Sequence, residues 1–503
     1  MNRNAPALRL AALSAAVALA VAGCAVGPDF KTPEAPRVEN ERRPYNPAPL
    51  PAQTASAPGT GGAAQSFVAG RDIPALWWQV FHSEPLDKLV RSAIEKSPTL
   101  VAAQAALRQA QESYRADAGN RLLPAVNAQG GVTRERLSSL STGTSSGADL
   151  TLYNASVNIS YTIDAFGGIR RELEGLQAAV DYQRYQVEAT YLTLTANVIT
   201  TAIQEASLRA QIGATQDVID ASSQSLALVR KQADLGAVSR GSVLTQSAQL
   251  AQTRATLPAL EKSLALTRLQ LNVYAGRLPG DSGLPEFTLE SLQLPTELPV
   301  TLPSALVRQR PDVRASEALL HEASAQIGVA TAALYPQITL SGSLGAQSTE
   351  LADLFKASSR VWSIGAGLLQ PLFNGGALQA KKRAAEAAYD QAEAQYRQTV
   401  LNAFLNVAST LRALDGDAQS LAAQSEAASL AKESLDLVNR QYQLGAVNYL
   451  SILDAQRTYQ QTRVALAQAQ AARYADTAAL FQALGGGWWN RDVADAGATT
   501  AAR

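Results

Sequence analysis

The chain has 503 residues, with Lys and Arg balancing Asp and Glu at 43 each, two His, one Cys and one Met. Zero formal charge argues against nucleic acid as a partner, because phosphate binding needs a basic surface. One Cys and two His cannot assemble a multi-ligand zinc site, so the sequence offers no metal centre, no cofactor signature and no catalytic constellation, and it reads as a non-enzyme.

Residues 1–23 have the parts of a secretion signal: Arg3 and Arg9, an apolar run from Leu10 to Ala22, and small residues at "VAGC", Val21 to Cys24. The run is too short for a spanning helix. The small triplet ending in Cys24 resembles the bacterial lipobox, which implies acylation of that cysteine; Ala25 after it implies an outer-membrane destination. Residues 24–70 are rich in Pro, Ala and Gly and read either as an extended linker or as a strap along the folded body.

The rest is one long unit written twice, residues 71–278 and 304–489, separated by a Pro-broken segment at 279–303 expected to be irregular. "KSPTLVAAQAAL" from Lys96 answers "QRPDVRASEALL" from Gln309, and "LLPAVNAQGGV" from Leu122 answers "LYPQITLSGSL" from Leu334. "DAFGGIRREL" from Asp164 answers "PLFNGGALQA" from Pro371, and Leu-Gly-Ala-Val occurs at both Leu235 and Leu444, all at an offset of about 210 residues. Each copy predicts a Pro-started helix, two strands, a Gly-Gly pair, a long helix, a turn and a returning helix.

In "YNASVNISYTID" from Tyr153, apolar residues alternate with Asn, Ser and Thr, predicting a strand with one apolar and one wet face; Ile338 to Leu344 and Trp362 to Leu368 follow suit. Strands of about 10 to 13 residues suit a tilted membrane crossing. Four strands per chain are too few to close a membrane barrel, and lipid tolerates no open edge, so the chain is expected to oligomerise. The long segments from Gly168 to Asp234 and from Gly376 to Gln443 contain no Pro. As helices they reach roughly 100 Å at 1.5 Å per residue. Leu173, Leu176, Val180, Val187, Tyr191, Leu194, Val198 and Ala202 form a coiled-coil stripe on the first. Gly236 and Gly445 are expected to stop the long helices, with Ser239 and Asn448 capping the returning ones.

This pattern, together with "GCAVGPDF", "WWQVFHSEPLDKLV", "LGAVNYLSILDAQRTYQQTR" and "LGGGWW", resembles the TolC-like outer membrane factors of tripartite efflux pumps, in their lipoprotein branch. The resemblance covers essentially Cys24 to Trp489. It implies a mainly helical fold with a membrane β portion: a homotrimer forming a 12-stranded outer-membrane barrel continued by a coiled-coil tunnel in the periplasm, lipid-anchored through Cys24. It also implies a periplasmic adaptor and an inner-membrane pump as partners. Carried over position by position, Leu450 and Asp454 would form an apolar and an acidic ring at the periplasmic gate, and Tyr442 matches a gate tyrosine. Val447 and Ser451 depart from the pattern, where the prototype has a basic and a second acidic residue. The adaptor would meet the tips, Leu235, Gly236, Ala237, Val238 and Arg240 in one copy and Leu444, Gly445, Ala446 and Val447 in the other. Efflux of drugs or other small toxic compounds is the reading. A type I secretion duct and a non-channel coiled-coil lipoprotein are the alternatives. Trp77, Trp78 and Phe81 read as a packing anchor, and residues 490–503 as a disordered tail.

Overall fold

A computed structural model describes residues 25–34, 50–137, 148–301 and 303–491. Cys24 and residues 492–503 of the tail lie outside these. In chain order the elements are β1 (Ser66–Ala69), α1 (Glu84–Lys96), α2 (Pro98–Leu122), β2 (Ala125–Leu137), β3 (Ala148–Ile163), α3 (Gly168–Asp234) and α4 (Arg240–Tyr274). Then come β4 (Glu297–Val300), α5 (Pro303–Gln309), α6 (Pro311–Ala332), β5 (Gln337–Ser348), β6 (Arg360–Leu369), α7 (Ala377–Gln443) and α8 (Tyr449–Ala483). The repeat is visible in the lengths: α3 and α7 have 67 residues each, α4 and α8 have 35 each. Prolines 98 and 311 open α2 and α6, where a missing N–H costs nothing.

The chain packs as two compact units that cut across the repeat. One draws on Met1–Pro33, Ala105–Arg184 and Ala315–Arg397, the other on Glu34–Gln104, Tyr185–Arg314 and Gln398–Arg503. Each takes matching parts of both copies, because a half-buried strand or helix stripe finds its partner in its own counterpart.

In the first unit the sheet order is β2-β3-β5-β6, antiparallel throughout, and the β3–β5 ladder joins the copies. Register decides its faces. Val126 pairs Ile159, which pairs Gly342 and through it Ile364; Ala128, Val157, Leu344 and Trp362 form the next row, and Ile163, Ile338 and Leu368 another. These share one face, while Asn127, Asn158, Ser343 and Ser363 share the other, since side chains alternate along a strand. The apolar side chains Val126, Val157, Ile159, Leu344, Trp362, Ile364 and Leu368 are all exposed. Among the described residues, β2 and β6 have no strand on their outer edges, and no helix is long and apolar enough to cross a membrane.

In the second unit Trp77, Trp78 and Phe81 are fully buried, Trp77 stacking on Phe481 at 5.7 Å. The anchor reading of these aromatics is what the packing shows. Residues 50–69 are a docked strap rather than a free linker, because β1 pairs in parallel with β4. The segment 279–303 contains β4 and a 3-10 turn at Leu289–Ser291 among its Pro- and Gly-broken loops. Arg473 of α8 holds the strap. It is 0% exposed and donates to Gly61 O at 2.9 Å, Ala63 O at 2.6 Å, Thr54 Oγ1 at 2.9 Å and Gln65 Oε1 at 3.3 Å.

Close by in sequence, Asp476 is hydrogen-bonded to Asp417, and its carboxyl is pushed up to about 7, first by burial and then by that neighbour. The ordinary value is 3.8, so the native protein binds this proton where the unfolded chain has released it. Stability is therefore fullest below the ordinary value, falls as pH rises from there to about 7, and is level above. Asp476→Asn keeps a donor for Asp417 and is expected to abolish the decline, gaining about 1–3 kcal/mol at high pH after allowance for partial exposure. Thermal melts of the purified protein at pH 5 and 8 check this; an unchanged pH slope refutes it.

Candidate functional site at the hairpin tips

The tips belong to the second unit and are built alike. Gly236 has φ of 75° and Gly445 of 74°, the left-handed region that favours glycine. In the first tip Gly236 N donates to Ala233 O at 3.0 Å and Ala237 N to Gln232 O at 2.8 Å. In the second, Gly445 N donates to Tyr442 O and Ala446 N to Gln441 O, both at 2.9 Å. Both are Schellman endings that satisfy the last carbonyls of α3 and α7. Ser239 Oγ then accepts from Ser242 N, and Asn448 Oδ1 from Ser451 N, each at 3.2 Å, so both returning helices carry the expected caps.

Leu235 and Leu444 are 84% and 83% exposed. Val238 is different: it packs, with Val243, Val438 and Tyr442, against a cluster of Val229, Tyr449, Ile452 and Leu453. The apolar character of the tips thus has two causes, internal packing at Val238 and surface at the leucines. Gly236, Ala237, Arg240, Gly445 and Ala446 are exposed and Val447 is half-buried.

Leu450 and Asp454 stand one helical turn apart on α8 and both face solvent, beside the buried Tyr449, Ile452 and Leu453. Tyr442 lies off that face. Its hydroxyl donates to Gln232 Oε1 at 2.8 Å and its ring meets Tyr449 edge-on at 5.5 Å. Tyr449 in turn shares a 2.9 Å hydrogen bond with Ser225 Oγ. Burial raises the Tyr449 phenol above its ordinary value, with the Ser225 bond opposing and Tyr442 adding.

Two partners had no place in the sequence reading. Arg457 Nη2 donates to Asp454 Oδ1 at 2.5 Å, an exposed pair three residues apart. Gln232 supplies the tyrosine's acceptor, a neutral one. The i,i+3 spacing signalled the first; nothing local signalled the second, which comes from the other copy. Among the described residues no group of three or more His, Cys, Asp or Glu side chains is placed to hold a metal ion.

The arrangement offers two exposed, rigidly stopped helix turns and, beside one of them, an apolar residue and a carboxylate on a single face. Residues 89–277 and 302–486, more than half the chain, match the family described as outer membrane efflux protein. The chain belongs to that family. It is an outer-membrane efflux channel protein and not an enzyme, of mainly helical fold. The pyoverdine export outer membrane protein OpmQ of Pseudomonas aeruginosa is 34% identical over 423 residues, 82% of this chain and 87% of its own. The cation efflux system protein CusC of Escherichia coli O6:H1 is 29% identical over 486 residues, 94% of this chain and 97% of its own. The solved outer-membrane channel OprN superposes with a TM-score of 0.82 at 26% identity, over 92% of this chain and 100% of its own.

Proposed function

We propose that three copies of this chain, anchored by acyl chains on Cys24, close one 12-stranded barrel and carry small molecules from a periplasmic adaptor and an inner-membrane pump to the exterior. The observation that carries this is the sheet's register: one continuous apolar face on four strands with two free edges. Lipid-facing edges must be paired, and four strands cannot close on themselves. Small cargo is favoured over protein because relatives of similar length are named for pyoverdine and for cations. Cargoes so unlike each other support a general duct, with selection made by the pump.

At the gate, Leu450 supplies an apolar ring and Asp454 an acidic one. Arg457 beside Asp454 offsets part of that ring's charge, although an exposed pair of this kind is weak. The purified protein is expected to be a trimer that conducts ions across planar bilayers; a monomer that passes none overturns the reading. In the same bilayers Asp454→Ala should raise conductance and weaken block by multivalent cations, while Arg457→Ala should strengthen the block. If neither moves, the acidic ring lies elsewhere.

A further inference from the structure

The motif "GPDF", Gly27 to Phe30, begins three residues after the cysteine and has no part in the duct or its gate. In the first unit it lies in a fitted seat. Arg171 of α3, 5% exposed, donates to Asp29 Oδ1 at 2.6 Å and Glu174 Oε2 at 2.7 Å, and reaches Val26 O at 3.4 Å and Gly27 O at 3.5 Å. Phe30 stacks on His321 of α6 at 4.3 Å, and His321 Nε2 lies 2.9 Å from Glu174 Oε1. Burial alone would lift the Glu174 carboxyl; the bonds from Arg171 and His321 hold it below its ordinary range. Backbone meets backbone here. A Cβ on Gly27, whose φ is 96°, would come within 2.5 Å of Gly328 Cα, and one on Gly328 within 2.6 Å of Arg171 Cγ. Gly167, at the turn from β3 into α3, is as close to Ala25.

The place of the seat gives it meaning. Val26 N donates to Phe166 O at 3.1 Å, and the Phe166 ring stacks on Tyr335 at 4.8 Å. Leu122, Leu123, Leu372 and Phe373, all exposed, stand with this aromatic pair at the ends of the strands. Aromatic and apolar residues in that position form the girdle where a barrel meets the bilayer surface. Cys24 is bonded directly to Ala25 in the chain, and Ala25 lies against Gly167 at this end of the sheet.

We propose that Arg171, Glu174, His321 and Gly328 form a seat for the mature N-terminus that fixes the lipid-bearing end of the chain at the bilayer level of the sheet. The lipid then acts as a depth reference for barrel assembly and not as a loose tether. This rests on acylation of Cys24, which is measured separately below. The partner is a lipid surface, reached through the chain's own Ala25 to Phe30.

The test uses the full chain in Arg171→Ala, Gly328→Ala and Asp29→Ala forms, with labelled palmitate, amide exchange at Val26 and the fraction of heat-resistant trimer in outer membranes as readouts. Palmitate incorporation should equal wild type in all three. Exchange at Val26 should quicken about tenfold in Arg171→Ala, the effect of losing a charged hydrogen bond, and the trimer fraction should fall with it. Gly328→Ala, whose added Cβ would fall 2.6 Å from Arg171 Cγ and 3.1 Å from its Nε, should do the same by displacing Arg171. Asp29→Ala lies on the seated segment, so it leaves α3 and α6 intact and should change both readouts in the same direction by a smaller factor. Wild-type trimer and exchange in Arg171→Ala and Asp29→Ala would overturn the seat, as would a loss of trimer with Val26 exchange unchanged. Absence of palmitate from the wild-type chain would overturn the lipid reading itself, whatever the exchange at Val26.

Discussion

Tryptophan at both Gly236 and Gly445 is expected to reduce efflux to the level of a strain lacking the channel, while trimers persist in the outer membrane. The folding cost is small, about 1–2 kcal/mol at each turn for a side chain in the left-handed region. No heavy atom lies within 4 Å of the position a Cβ would take at either glycine, so the new ring points into solvent and the hairpin keeps its Schellman bonds. What the ring does obstruct is the approach of another protein to Leu235 and Leu444, exposed apolar residues that nothing among the described residues covers. Asparagine at the same two positions tolerates the backbone conformation and adds little bulk, so it should retain most activity. Growth on an exported toxicant, beside trimer abundance on unheated gels, separates the outcomes. Full resistance in the double tryptophan chain would show that the tips are not where the adaptor binds.

The tips were legible because their chemistry is local. A glycine that stops a helix, a Ser or Asn that starts the next, and two copies of the same tetrapeptide say the same thing twice. Strand alternation was legible for a similar reason: Tyr153 to Ile163 shows both faces within one element, and the ladder only confirms which neighbours share them. The charge balance at the gate was half legible. Asp454 was visible as a candidate ring, and Arg457 stood three residues on, but the pair exists only because both side chains face solvent together. Tyr442 is a gate residue by resemblance alone; its hydroxyl reaches Gln232 of the other copy's hairpin and its ring meets Tyr449 of its own, contacts no local pattern signalled.

What local pattern could not reveal is where polar residues are buried by distant chain. Arg473 sits in a helix among Ala and Gln and reads as an ordinary surface residue. Its acceptors lie about 410 residues upstream in a Pro- and Gly-rich stretch whose composition suggests no structure. The same holds for Asp29 and Arg171, joined across 142 residues. Repeats and periodicity report elements, while long-range hydrogen bonds report which segments those elements capture.

Arg473→Met is expected to release that captured strap. The substitution keeps the length of the stem but removes every donor, leaving the carbonyls of Gly61 and Ala63 and the side chains of Thr54 and Gln65 without the partner that satisfied them. Unpaired buried acceptors cost about 1–3 kcal/mol each, partly recovered if water enters, so a loss of about 2–5 kcal/mol falls on residues 50–69. Burial presses against the charge and lowers the Arg473 pKa, against the opposing pull of Tyr474 and Asp417. Lysine should rescue poorly, since one ammonium cannot reach acceptors spread around a planar fork. Because proteolysis follows the population of the opened segment, cleavage within the strap should quicken at least about thirtyfold. The Trp77, Trp78 and Phe81 anchor, packed against Phe481 and Tyr191 without help from Arg473, should stay protected. Cleavage of the strap at the wild-type rate would mean that the β1–β4 ladder alone holds it down, and that the buried arginine serves the helix instead.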